Sequence, residues 1–321
     1  MTAQPTAVIL HGVTAPDPAP EDADVFDQIA LVEDALRALG YANHVQAVGL
    51  DLSVLSGLSG DIVAVNLVEG LAGQDRLIAL VPAVLEALGV PFTGSGSIAL
   101  ALSNDKLAAK RLMAAAGIPT PMVLAGGAAP GEGRWIVKSV SEHGSKGLDA
   151  ASVVAGCAVG EKLAERQRAY GGHWFAERFI DGREFNLSLL DSLDGPRVLP
   201  VAEMAFVDFP AGRARIVDYG AKWDPADPAY HRTERRFLPP ADPLHARLET
   251  LALACWRCFG LSGYARVDFR VDDTGNPFVL EVNANPCLAP DAGFMAAAAQ
   301  AGLTPDSVVG TLLEAALVPH S

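Results

Sequence analysis

The first ninety residues alternate between two hydrophobic periods. Ala7 to Leu10 is a short apolar run ending at His11-Gly12, which reads as a strand entering a loop. Asp24 to Leu39 repeats its apolar residues at helical spacing and stops at Gly40. Val45 to Leu50 reads as a strand, and Asp61 to Leu67 as a stronger, β-branched one. Asp75 to Leu88 is helical again and stops at Gly89. Strand, helix, strand, helix predicts an α/β class, a parallel sheet covered by helices. The dinucleotide fingerprint GxGxxG is missing from this stretch, so the Rossmann-like alternation is architecture only.

Pro91 to Ser97 is a Gly/Ser-rich break, and a helix is predicted from Asn104 to Ala116, stopped by Gly117 and Pro119. A first boundary therefore falls near residue 100. Gly126 to Gly133 reads as a loop, Trp135 to Val140 as a strand, and Glu142 to Gly147 as a flexible loop. Helical spacing returns from Glu161 to Tyr170. Strands are expected over Trp174 to Ile180 and Glu184 to Leu190, joined at Asp181-Gly182. Asp208 to Pro240 is rich in Pro, Asp and Arg and reads as a long functional loop. A helix is predicted over Leu244 to Phe259 and another over Pro305 to Leu317. Between them Ala265 to Val271 and Phe278 to Val282 read as a hairpin around Asp272-Asp273-Thr274-Gly275.

Composition narrows the function. With 321 residues, half of them hydrophobic, the chain has room for two or three compact units. No apolar run reaches the roughly 18 residues of a membrane span, and Met1 to Ala7 carries no basic leader, so no membrane partner is expected. A net charge of −14 argues against a nucleic-acid partner. Cys157, Cys255, Cys258 and Cys287 form no framework, and Cys255 and Cys258 read as helix-face or core thiols. Reduced thiols fit a cytoplasmic protein.

Four clusters carry candidate chemistry. In the hairpin, Asp268 shares a strand face with Arg266, and Glu281 with Asn283. If the strands pair, two carboxylates and an amide converge, a hard-oxygen set suited to Mg²⁺ held with phosphates. Arg266 beside them could meet phosphate or a developing oxyanion; the plainer alternative is a solvated hairpin face. Lys106, Lys138 and Lys222 are the second cluster, and Lys138 ends the apolar run Trp135 to Val137. Third, the glycines and Ser145 of Glu142 to Gly147 could wrap a phosphate, although GxxxxGK[ST] is absent. Fourth, Phe175 to Asn186 is an apolar strand and turn bracketed by Glu177 and Glu184. It offers a slot for adenine and an acceptor for ribose, or else an edge strand with solvated acids.

The order of these pieces resembles the ATP-grasp ligases, and among them the D-alanine–D-alanine ligase-like group. The likeness runs from about Leu88 onward through Gly89 to Gly96, Asn104-Asp105-Lys106, Ile136-Val137-Lys138, Glu177 to Glu184, Asp218 to Lys222, Ala265 to Phe269, and Glu281-Val282-Asn283. It implies an ATP-grasp fold, α+β in its central and C-terminal parts, behind an N-terminal Rossmann-like pre-ATP-grasp domain. The implied units are residues 1–100, 101–184 and 185–321. It implies ATP and Mg²⁺ (or Mn²⁺) as cofactors and small-molecule carboxylate and amine substrates. Lys106, Lys138 and Lys222 would contact phosphates. Glu177, with the backbone near Arg178 and Ile180, would hold adenine, and Glu184 ribose. Asp268, Glu281 and Asn283 would bind the metal. Arg266, Lys222 and Ser145 would serve the chemistry, with Arg266 at the tetrahedral oxyanion. A homodimer is also implied.

The departures lie where substrates would sit. The family's early Gly-Gly and Glu-Arg-Glu-Val-Ser stretch is replaced by the Pro-rich His11 to Asp22, in which Glu21 is the candidate amine-binding glutamate. Asn66 to Gly70, with Glu69, stands where the family has His-Gly and Gly-Glu-Asp-Gly. After Asn283 the family has Gly-Met-Thr and then a carboxylate-binding serine; here Pro286 to Gly293 puts Ala292 at that serine. Trp223 replaces the tyrosine after the phosphate lysine. Arg232 and Arg235 are candidates for a substrate carboxylate. These departures predict a different amino-acid or peptide-like substrate pair. A genuine D-alanine–D-alanine ligase, a phosphotransferase using His143 and a non-catalytic nucleotide binder are the rivals.

Overall fold

The computed structural model describes residues 4–126, 130–192, 194–209 and 211–318. Residues 127–129 of the expected Gly126–Gly133 loop, Pro210 of the long segment and residues 1–3 lie outside that set. In chain order the elements begin with β1 (Thr6–Gly12), α1 (Pro20–Ala38), β2 (Asn43–Val48), α2 (Ser53–Ser56), β3 (Ile62–Asn66), α3 (Leu80–Leu88), α4 (Ser97–Asn104) and α5 (Lys106–Ala115). Next come β4 (Arg134–Ser139), β5 (Val153–Ala155), α6 (Val159–Tyr170) and β6 (Trp174–Arg178). The remainder holds β7 (Arg183–Leu190), β8 (Arg197–Val198), β9 (Ala202–Phe206), α7 (Tyr219–Trp223), β10 (Thr233–Phe237), α8 (Pro243–Phe259), β11 (Tyr264–Val271), β12 (Pro277–Ala284), α9 (Gly293–Gln300) and α10 (Pro305–Leu317).

The first sheet is parallel, in the order β2-β1-β3. Side chains of β1 alternate between two cores. Ala7 and Ile9 meet Val32 and Leu36 of α1 and Leu312 of α10, while Val8 and Leu10 meet Leu55 of α2 and Leu85 of α3. The helix α1 begins four residues before the apolar period predicts. Pro20 occupies its first turn beside Glu21 and Asp22, so the end of the Pro-rich stretch is a helix N-terminus. A second sheet, β5-β4-β6, is antiparallel and packs Trp135, Val137 and Ala176 against Val159 of α6.

The third sheet runs β10-β9-β7-β11-β12, with β8 on β7, all antiparallel. One face buries Leu187, Val267 and Phe269 against Leu248 and Trp256 of α8 and Ala109 of α5. The other face points to the site. Several elements went unread in the sequence, α4, α9, α7 and β10 among them. The helices α4 and α9 are Ala-rich and short, and α4 straddles residue 100. Within Asp208–Pro240, α7 and the edge strand β10 interrupt the expected loop, with Arg235 opposite Met204 on β9. Exposed Glu234 and Arg236 gave that strand the composition of a loop.

The Gly/Ser break is a tight junction. A Cβ on Gly263, whose φ is +68°, would lie 2.7 Å from the Cα of Gly94. The Ser95 amide donates to Asn285 Oδ1 at 2.8 Å, and its hydroxyl donates to the Ser262 carbonyl at 3.1 Å. Gly263→Ala is expected to cost about 2 kcal/mol or more through strain and clash together. A urea melt would show this as a lower midpoint; an unchanged midpoint would mean the junction is loose.

Candidate active site

The three sheets enclose a cavity of about 1230 Å³. Its floor is the exposed face of β7, β11 and β12. The register sets Asp268 opposite Asn186 on one side and Glu281 on the other, and Arg266 opposite Asn283. The period of two therefore delivers the convergence that the sequence predicts. A bulge follows: Phe269 pairs with Val279, leaving Leu280 unpaired.

Asp268 is 6 % exposed and fully engaged. Arg266 donates to both its oxygens at 2.8 Å, Asn186 to Oδ1 at 2.7 Å, and Asn283 to Oδ2 at 3.1 Å. Burial raises its pKa despite Arg266. Glu281 goes the other way: burial opposes its charge, but Lys106 and Lys138 hold it well below the usual carboxylate range. Among the described residues no cluster of three His, Cys, Asp or Glu stands as a ready metal cage. The expected metal set is thus Asp268 and Glu281 with an amide, and Arg266 presently faces Asp268 rather than open space.

The cations come from three elements. Asp105 caps α5 by accepting from the amides of Leu107 and Ala108, which sets Lys106 at the first helical position. Lys106 donates to the Glu142 carbonyl at 2.9 Å and lies 3.7 Å from Glu281. Lys138 on β4 pairs with Glu177 on β6 at 2.9 Å. Lys110, absent from the sequence reading, pairs with the other oxygen of Glu177 at 2.6 Å. Its spacing of four from Lys106 on one helix was the available signal. Burial opposes the charge of Glu177, but the two lysines hold its pKa down. Burial and Lys138 lower Lys110, whereas for Lys138 the burial effect is outweighed by Glu177 and Glu281, which raise it.

The expected adenine role of Glu177 thus falls on a carboxylate that two lysines already engage. Its side chain is 1 % exposed with an ammonium on each oxygen, and it stands in the cavity wall. Arg178 and Ile180 do line the cavity, and the Arg178 guanidinium is taken by the Glu132 carbonyl. Glu184 lines it too, paired with Arg270 at 2.8 Å.

The Glu142–Gly147 loop, expected to be flexible, is stitched down. The His143 amide donates to Asp75 at 2.9 Å, and Trp223 Nε1 donates to the Gly144 carbonyl at 2.9 Å. Ser145 sits at φ +62°, and its hydroxyl donates to the Val217 carbonyl at 2.8 Å. That bond shapes the loop, and Ser145 lines the cavity. Glu21 joins the same roof by accepting from the Tyr219 hydroxyl at 2.7 Å.

Lys222 projects into the cavity over the Trp223 ring, 4.5 Å from its centroid. Burial and then Arg266 lower its pKa. Glu69 is open to the cavity yet surrounded by protein, and burial raises its pKa to about 7. Gln28 donates to Glu69 at 2.9 Å and to Asp24 at 3.1 Å, and Cys287 Sγ lies 3.1 Å from Asp24. Cys287 is therefore a wall of the cavity, whereas Cys255 is buried core. Arg235 lines the cavity near Ala292, donating to the Asp291 carbonyl at 3.3 Å. Arg232 does not; its guanidinium turns to the Asp208 carbonyl outside, which corrects its expected substrate role. The segment bearing Lys222 is held by Arg213, which grips Asp218 at 2.8 Å and Asp227 at 2.6 Å. Arg213→Ala is expected to speed proteolytic cleavage within residues 208–232 at least fivefold, an order-of-magnitude figure for losing a partly buried ion-pair pair. Equal cleavage rates would show that the clamp is idle.

The family profile described as "D-ala D-ala ligase C-terminus" matches residues 135–314. A D-alanine–D-alanine ligase of Chelativorans sp. (strain BNC1) is 34 % identical over 302 residues, covering 89 % of this chain and 91 % of the relative. That of Synechococcus sp. (strain JA-2-3B'a(2-13)) is 34 % identical over 262 residues, covering 77 % and 74 %. In architecture the chain is similar to the D-alanine–D-alanine ligase of Bacillus anthracis, solved in complex with ATP, with a TM-score of 0.75, 20 % identity and coverage of 98 % and 97 %. Among the described residues no helix is long and apolar enough to cross a membrane.

Proposed function

The chain belongs to the D-alanine–D-alanine ligase family, and from that membership we propose that it joins a carboxylate to an amine through an acyl phosphate. It is an ADP-forming ATP-grasp ligase that makes a peptide bond. The observation that carries the proposal is one cavity uniting Lys106, Lys138 and Lys222 with Asp268, Glu281 and Asn283. A carboxylate oxygen attacks the γ-phosphorus, the bond to ADP breaks, and the amine then attacks the acyl carbon as phosphate leaves. Positioning and charge neutralisation supply most of the rate.

The three lysines hold phosphates, and Glu184 takes ribose beside a base slot at Arg178 and Ile180. The metal set fits a hard cation in chemistry: two carboxylates opposed across a hairpin plus an amide oxygen. With all four acceptor sites of Asp268 filled, Asn283 must turn its NH₂ away and offer Oδ1. Mg²⁺ (or Mn²⁺) held there would neutralise phosphate charge. Arg266 then faces the oxyanion that forms on the acyl carbon. The phosphotransferase reading finds its residue engaged, because Asn104 holds the His143 ring.

The substrate pair is proposed to differ from two D-alanines. Ala292 offers no hydroxyl to a carboxylate, the Cys287 side chain fills wall space, and Arg235 enters the cavity. The test is ADP release from Mg²⁺-ATP with pools of D- and L-amino acids and small peptides, with products weighed by mass spectrometry. Release with a condensed product is expected from a mixed pool. D-alanine alone giving its dipeptide would overturn the substrate proposal, and no stimulated release would overturn the ligase reading.

Glu69 is proposed to receive the substrate ammonium. Its pKa of about 7 leaves it neutral at lower pH, so the carboxylate is present only as the pH rises through about 7. kcat/KM is expected to fall about tenfold per unit below that point, and Glu69→Gln should flatten the acidic limb. An acidic limb unchanged in Glu69→Gln would remove the role.

A further inference from the structure

Lys110 touches the cavity nowhere, yet three elements of the site meet on it. Its ammonium has three donors and three acceptors within reach. Glu177 Oε2 lies at 2.6 Å, Thr120 Oγ1 at 2.9 Å and the Leu280 carbonyl at 3.2 Å. The side chain is 3 % exposed, whereas that of Lys138 is 16 % exposed and opens into the cavity. We infer that Lys110 is a positioning residue that sets the charge and place Lys138 presents to nucleotide phosphate, by claiming half of Glu177.

The reasoning is one of charge balance. Glu177 has two oxygens and gives one to each lysine. Two ammonium groups and one carboxylate leave one surplus positive charge in a buried trio. Lys110 is saturated and sealed, so that surplus is felt where Lys138 meets the cavity. Without Lys110, both oxygens of Glu177 fall to Lys138. The pair becomes neutral, and Lys138 is drawn back from the cavity toward β6. Lys110 also fixes distance. The carbonyl it holds belongs to the bulged Leu280, next to Glu281, and Thr120 donates in turn to the Val279 carbonyl at 2.8 Å. The cationic wall and the acidic strand are thus tied through one ammonium group.

This inference rests on the proposed phosphate role of Lys138. The test is calorimetric titration of the full chain with Mg²⁺ and ADP, with circular dichroism as a check on folding. Lys110→Met is expected to weaken ADP binding about tenfold. The double variant Lys110→Met with Glu177→Gln removes the competing carboxylate and frees Lys138 again. It should bind within about threefold of the wild type, and adding Lys138→Met to it should abolish that recovery. Undiminished binding by folded Lys110→Met would overturn the inference. So would a double variant as weak as the single one, since Lys110 would then act through packing alone. Should Lys110→Met fail to fold, the double variant, whose remaining ammonium on Lys138 opens to the cavity, carries the comparison. A folded double variant tenfold weaker than wild type would again overturn it. Wild-type protein that binds no ADP would instead sink the nucleotide reading, and this assignment with it.

Discussion

Asp268 and Glu281 face each other across β11 and β12 on the cavity floor, the first buried and the second half-buried. Like charges so placed are tolerable only with cations close by. Arg266 answers Asp268 from the same strand, and Lys106 and Lys138 answer Glu281 from α5 and β4. Each answer demands a particular backbone position. The cap at Asp105 places Lys106, the sheet β5-β4-β6 places Lys138, and the Gly94–Gly263 junction docks the first unit against the start of β11. Much of the architecture serves to bring positive charge to those two carboxylates.

The overall charge of the chain gives no hint of this. At −14 it is strongly acidic, yet on the cavity floor and its near walls Lys106, Lys138, Arg266 and Arg270 offset Asp268, Glu281, Glu177 and Glu184. The acidic excess lies elsewhere, partly at the far end with Glu21, Asp24 and Glu69.

The legible parts of the sequence were those in which local period and spatial arrangement coincide. The hairpin of Asp268 and Glu281 could be read because alternation along each strand decides which side chains share a face. Glu177 could not, because its partners Lys110 and Lys138 sit on different elements, and strand period says nothing about which ammonium a buried carboxylate will meet. Arg232 and Arg235 looked equivalent in a loop. Once Thr233–Phe237 is a strand, Thr233 and Arg235 share the cavity face, while Arg232 lies before it and turns out. The hydroxyl of Ser145 shows a third limit. A glycine-rich loop can be recognised from its residues, but the bonds that pin it come from Val217, Trp223 and Asp75, far along the chain.

The packing of α10 has a consequence for how the protein is made. Ala7 and Ile9 at the start of the chain share a core with Val308 and Leu312 near its end. During synthesis β1 precedes α10 by some three hundred residues, so one face of the sheet has α1 alone as its cover until α10 is made. At the usual pace of roughly 5–20 residues per second, that face waits partly covered for many seconds. The sheet of β1 to β3 is therefore sealed late, and its apolar strands depend on α1 until α10 arrives.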